Sequence, residues 1–180
     1  MGGAEAGAGK VVVNRAVSVD GFVAGPAHDM TWIFEHLRDD LFPEVVAATG
    51  AMLVGRTTYE VARRMAPEDS AYDGGPQYVL THRPPTEPDP SVTFLTCGLE
   101  EAVEVARAAA GGQDLEVLGA DLASRCLGAG LVDEVLVYVL PVLLGDGVRF
   151  STPEQGRVDL EPLGATSAGD VTMLRFRVRR

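Results

Sequence analysis

Three short stretches, far apart in the chain, set hydroxyl or guanidinium groups directly after a β-rich run: Gly55-Arg56-Thr57-Thr58-Tyr59, Thr81-His82-Arg83 and Gly119-Ala120-Asp121-Leu122. A strand that ends in glycine and turns straight into a helix points free backbone N–H groups outward, where a phosphate can approach without meeting a side chain. Arginine and threonine add charge and hydroxyl donors. Together the stretches read as a phosphate grip for a dinucleotide. Taken singly, Arg56 could equally pair with an acidic neighbour on the surface, and Thr57 or Thr58 could simply cap a helix. Asp121 is expected as an N-cap, and its role as structural, since in that place its carboxylate would occupy the N–H groups a phosphate wants and add a like charge. Ligand contact there would run through the backbone of Gly119, Ala120 and Leu122.

Such motifs need a sheet and helices to aim them. Residues 10–19 are Val-rich and end at the turn signal Asp20-Gly21, which predicts a first strand. Apolar residues from Trp32 to Ala48 recur near a helical period, with Pro43 marking where the helix begins. Strands are expected at 51–54, 77–80, 91–96 and 115–118, and helices from Thr57 to Met65, from Leu99 to the stop Gly111-Gly112, and from Asp121 to 128–130. A loop over 68–76 and a proline-stiffened linker over 84–90 separate the middle elements. This alternation implies a parallel sheet with crossover helices. Residues 134–144, 158–165 and 171–178 are instead β-rich and joined by Gly/Asp turns, so the chain should close with antiparallel strands. In the last of these, Arg175, Arg177 and Arg179 alternate with Leu174, Phe176 and Val178, as on a solvated strand face.

The 180 residues suit one domain. Residues 1–9, rich in Gly and Ala, read as a flexible tail ahead of a domain over 10–180. A formal net charge of -11 argues against nucleic-acid or membrane-surface partners, so an anionic ligand would need a locally basic pocket. Two cysteines and three histidines fit no zinc spacing, and no metal is expected; His28 and His36 read as loop or surface residues. Without a signal peptide or an apolar run of about 20 residues, a soluble cytoplasmic protein is expected. The strand over 134–140 is apolar on both faces and must be covered on both, from which a homodimer through the C-terminal strands is expected.

Taken in order, the motifs resemble the dihydrofolate-reductase-like superfamily, and especially the reductase domain of the bifunctional riboflavin-biosynthesis deaminase-reductase. The resemblance runs from about Lys10 to Arg179 through Ser18-Val19-Asp20-Gly21-Phe22-Val23-Ala24-Gly25, the three phosphate-grip stretches, Gly130-Leu131-Val132-Asp133-Glu134 and Pro141-Val142-Leu143-Leu144-Gly145-Asp146-Gly147. It implies a three-layer α/β fold with a central, mostly parallel sheet flanked by helices and antiparallel C-terminal strands. It also implies an NADPH-dependent reductase acting on a pterin, folate or ribosylamino-pyrimidine-like heterocycle. NADP would be held by Val23, Ala24, Gly55, Arg56, Thr57, Thr81, His82, Arg83, Gly119, Ala120 and Leu122. Arg83 or Arg56 would supply the charge that a 2′-phosphate calls for. Asp20 is the candidate to orient substrate or relay a proton, although an Asp-Gly turn explains it equally; Trp32 could pack on substrate or belong to the core. Asp39, Asp40 and Glu44 lie where a carboxylate could be presented, but a solvated acidic helix face accounts for them too. The zinc-binding deaminase signature is absent from the chain. One departure stands out: the family pairs two glycines where the fifth strand enters its helix, whereas this chain has Leu118-Gly119-Ala120, either a leucine for the first glycine or a deletion. That departure motivates a rival reading, a non-catalytic ligand-binding or dimeric scaffold domain.

Overall fold

The structure is a computed structural model describing residues 9–36, 41–65, 75–87 and 89–180. The expected tail, the loop over 68–76, and Asp39 and Asp40 lie wholly or mostly outside the described residues. The Val-rich opening run forms β1 (Val11–Ser18), followed by the short β2 (Phe22–Ala24) and a single 3-10 turn at Pro26–His28. The expected helix from Trp32 to Ala48 is two pieces, α1 (Thr31–Phe34) and α2 (Pro43–Ala48); the proline opens the second, where its missing N–H costs nothing. Next come β3 (Thr49–Gly55), α3 (Arg56–Met65), β4 (Gln77–Leu80), β5 (Val92–Leu95), α4 (Leu99–Ala109), β6 (Asp114–Leu118) and α5 (Ala120–Gly128). The chain closes with β7 (Glu134–Leu140), β8 (Val148–Arg149), β9 (Leu160–Ala168) and β10 (Val171–Val178).

Eight strands form one sheet in the order β5-β4-β3-β6-β1-β7-β10-β9, and β2 pairs with β8 beside it. Neighbours from β5 to β7 run parallel, while β10 is antiparallel to both β7 and β9. Parallel strands are covered on both faces. One face packs Val11, Val13, Leu53, Leu115 and Val117 against Ala102, Val103 and Ala106 of α4 and Leu122 and Cys126 of α5. The other packs Val12, Leu136, Tyr138 and Leu140 against Trp32, Ile33 and Phe42. Strand β7 is thus covered on both faces by its own chain, and it stops at Leu140 because Pro141 follows.

The end of the sheet departs from expectation in one respect. Arg175 turns its guanidinium onto the buried carboxylate of Glu134 at 2.6 Å, with Lys10 on the same carboxylate at 2.7 Å, so part of the expected solvated arginine row is a clamp. Burying Glu134 demands that pairing.

The register of the central strands opens the sheet at one end. Strands β1 and β6 pair only from Val11–Leu115 to Val13–Val117, whereas β1 pairs with β7 as far as Ser18. Beyond Val13 the two central strands part, leaving a split at their C-terminal ends.

Candidate active site

Ligands of open parallel sheets settle outside the C-terminal strand ends, where neighbouring connections leave in different directions. Here a cleft of about 1130 Å³ occupies that position. All three phosphate-grip stretches reach it: Gly55, Arg56 and Thr57 from the start of α3, Thr81, His82 and Arg83 from the exit of β4, and Gly119, Ala120 and Leu122 from the start of α5. Val23 and Ala24 of β2 also line it.

The two helix starts are shaped for an anion. Strand β3 passes into α3 with no intervening residue, and the first turn of α3 carries no acid. Helix α5 has Gly119 at its N-cap with no side-chain hydrogen bond there. Asp121 is therefore not the expected cap; it sits in the first turn and faces Arg125 at 3.7 Å, leaving the helix start to its backbone N–H groups. Gly119 has φ +108, and a Cβ there would stand 2.8 Å from the Thr58 hydroxyl. Only glycine supplies that conformation and that closeness. The departure from the paired glycines is thereby located: Leu118 is a β6 residue in register with Val54, Gly119 makes the turn, and Ala120 opens the helix.

Arg56 takes the surface role and the cleft role together. Its Nε meets Glu60 at 2.5 Å, while Nη1 donates to the backbone carbonyl of Arg83. Tyr59, one turn into α3, donates to Asp89 at 2.7 Å and so fastens the linker that follows Arg83. Thr81 is buried, with its hydroxyl receiving the Arg83 N–H at 3.1 Å.

Two other residues singled out from sequence stand outside the cleft lining. The Asp20 carboxylate accepts from the Ser18 hydroxyl at 2.6 Å, from Leu144 N–H at 3.1 Å and from Gly145 N–H at 2.7 Å. The Ser18 hydrogen bond, with the two backbone donors, holds its pKa down at about 2 against an ordinary value of 3.8. Ser18 in turn accepts from Phe22 N–H at 2.9 Å. Asp20 therefore fastens the turn after β1 to the segment after β7, the two stretches that lead into β2 and β8. Trp32 is buried in the cluster with Phe42 and Tyr138, and Met30, Ile33 and Phe34 are its neighbours that reach the cleft.

The wall beneath the split holds polar residues that sequence reading missed: Asn14, Arg15, Glu116 and Tyr138. Arg15, Glu116 and Tyr138 are all more than nine-tenths buried. Burial raises the Tyr138 hydroxyl above its ordinary range, and Asn14 is its hydrogen-bond partner. The usable signal was the interruption of apolar strands, Val-Val-Val by Asn14-Arg15 and Leu115-Val117 by Glu116, since a strand covered on both faces otherwise reads as a continuous apolar run. His28, read as a loop residue, also lines the cleft. Among the described residues no group of three His, Cys, Asp or Glu could hold a metal, and no helix is long and apolar enough to cross a membrane.

Sequence comparison matches residues 9–174 to the RibD C-terminal domain. The chain belongs to that family. The uncharacterized protein YwjB of Bacillus subtilis is 26% identical over 169 residues, spanning 93% of this chain and 97% of the relative. In structure, the chain resembles a putative riboflavin biosynthesis protein from Shewanella sp. PV-4 with a TM-score of 0.81 at 20% identity, covering 95% of this chain and 99% of that one. It also resembles dihydrofolate reductase from Enterococcus faecalis, solved in complex with NADP(H), with a TM-score of 0.68 at 14% identity, over 97% of this chain and 99% of that one. The fold of this RibD C-terminal domain member is accordingly dihydrofolate-reductase-like, as its motifs predicted.

Proposed function

We propose that this RibD C-terminal domain protein is an NADPH-dependent reductase that delivers hydride to a small, flat heterocycle of the pterin, folate or ribosylamino-pyrimidine kind. One observation carries the reading: three separate strand exits converge on a single cleft beside the split between β1 and β6. The residues suit a dinucleotide. The starts of α3 and α5 offer backbone N–H groups to a diphosphate, and Gly55 and Leu122 bring the two starts together, a Cβ on Gly55 coming 3.7 Å from the Leu122 side chain. Thr81, His82 and Arg83, on the cleft lining at the exit of β4, would take the 2′-phosphate, and Val23 and Ala24 of β2 would wall the cofactor. When bound, NADPH supplies the hydride.

The protein's own work is then to position and to exclude water. Met30, Ile33, Phe42 and Val45 give the far side of the cleft an apolar wall on which a planar ring can lie. Neither Asp20 nor Trp32 belongs to the proposed catalytic set, since the first is occupied in a turn and the second in the core. The rival reading of ligand binding without turnover is separated by one experiment. NADPH binding is titrated calorimetrically, and NADPH oxidation is then followed with a panel of dihydropterin, dihydrofolate and ribosylamino-pyrimidine acceptors. Binding with turnover of any acceptor supports a reductase, and binding without turnover across the panel supports the rival.

A further inference from the structure

Three charged side chains among the described residues are nearly fully buried: Arg15, Glu116 and Glu134. Glu134 is answered by Lys10 and Arg175 and stands apart from the cleft. Arg15 and Glu116 both line the cleft. Arg15 follows Val11 and Val13 on one face of β1, at the first positions after β1 and β6 part. Its surroundings serve it poorly. Nη1 reaches the carbonyl of Asn14 only at 3.5 Å, and Nε and Nη2 have no hydrogen-bond partner among the described residues. Burial lowers its pKa to about 10, with Glu116 opposing the fall, so the guanidinium stays charged at neutral pH.

Nε and Nη2 form the side edge of the guanidinium fork, two parallel donors spaced for two coplanar oxygens. A buried charge left with those donors unmatched is a poor choice for stability, where an apolar residue of similar volume would serve better. We propose that Arg15 is an oxyanion-recognition residue of the cleft it lines, turning its Nε/Nη2 edge, which is enclosed and unpartnered in this structure, toward a carboxylate or phosphate of the substrate and so selecting anionic heterocycles over neutral ones. This deepens the reductase reading and rests on it for the identity of the second ligand. Glu116 provides the balancing charge when no anion is bound, so binding one requires the Arg15 attraction at contact distance to outweigh the Glu116 repulsion. The fork geometry favours that outcome, because a bidentate contact is closer and better directed than the 3.5 Å bond that Arg15 makes to Asn14 among the described residues.

The test uses matched probes on the full chain with NADPH present: pterin-6-carboxylate against pterin-6-carboxamide, and uridine 5′-monophosphate against uridine. Wild type should bind the anionic member of at least one pair about tenfold more tightly, and the pair that does so identifies carboxylate or phosphate as the source. Arg15→Met should bring the two members of that pair within about twofold, whereas Arg15→Lys, which keeps the charge and loses the fork, should retain only part of the preference. Arg15→Gln serves if Arg15→Met does not fold, as judged by its melting transition. Equal affinity within both pairs, no binding of any probe, or a preference surviving in Arg15→Met would each overturn the proposal. NADPH affinity, titrated separately in each variant, should stay within about threefold of wild type. A wild type that binds no NADPH yet discriminates the probes when they are titrated alone would sink the reductase reading and uphold the oxyanion site.

Discussion

Arg56 donates through Nη1 to the backbone carbonyl of Arg83, fastening the start of α3 to the exit of β4. With Nε also committed to Glu60 at 2.5 Å, its guanidinium is an anchor before it is a ligand group. Arg83 is thereby held by its backbone with its side chain on the exposed rim of the cleft. Of the two arginines, Arg83 is the better partner for a 2′-phosphate. NADPH should therefore bind more tightly than NADH by about tenfold, the low end for a charge-assisted contact because the site is open to water. In calorimetric titrations Arg83→Ala should remove most of that preference while leaving NADH binding nearly unchanged. Equal affinities for the two cofactors in wild type would refute the assignment.

Gly119→Ala should damage both fold and cleft. The substitution meets a φ of +108 and brings Cβ to 2.8 Å from Thr58 Oγ1. Backbone strain of this kind costs about 1–3 kcal/mol, read as a lower denaturant midpoint. Adding Thr58→Ala relieves the overlap but not the dihedral, so the double variant should recover only part of the loss. Full recovery would place the whole effect in the side-chain contact.

Leu118→Gly tests the departure from the family's paired glycines. Leu118 packs beside Met52, Val54, Tyr59 and Val79, and Gly119 already makes the turn. The variant should lose about 2 kcal/mol of stability, the low end for a partly buried leucine, without gaining cofactor affinity. Tighter NADPH binding would mean that Leu118 crowds the cleft after all.

These two neighbours mark how far the sequence could be read. Strand and helix order was legible because apolar runs and apolar stripes alternate cleanly, and the phosphate-grip residues were legible because glycine, arginine and threonine follow strand ends. The exact turn was not: Asp121 satisfies every local rule for an N-cap, yet the chain reaches α5 through Gly119 instead. Strands β2 and β8, of three and two residues, carry too little periodicity to be seen. Arg15 and Glu116 were hidden for another reason, since their importance arises from strands that meet only in the folded sheet and from a split that no local pattern announces.

Asp20 should make stability pH-dependent in a defined sense. Its folded pKa, about 2, lies below the ordinary value of 3.8, so its contribution is present above about pH 4 and lost as pH falls toward 2. Asp20→Asn should flatten that part of the acid-denaturation profile. It should also slacken the segment after β7, seen as faster amide exchange at Leu144 and Gly145, whose N–H groups bond the carboxylate. Unchanged exchange at both amides would refute the fastening role.

The homodimer, proposed through the C-terminal strands, needs a different surface from the one that suggested it. Strand β7 is covered on both faces, and Tyr138 is buried 5.0 Å from Phe42, centroid to centroid, so Tyr138→Asp would unfold the chain rather than report on a partner. Farther out, β9 is the last strand of the sheet, and most of its nine residues are exposed. Leu174 and Ala165 stand in register across β10 and β9, the first half-buried and the second exposed. Pro162 withholds an N–H from the outer strand, which disfavours simple edge-to-edge addition and favours contact through this apolar row. Light scattering at micromolar concentration should give about twice the 19.0 kDa chain mass. Ala165→Glu, at an exposed position, should leave the melting behaviour of the monomer intact and halve the mass, whereas a wild-type monomer would remove the proposal altogether.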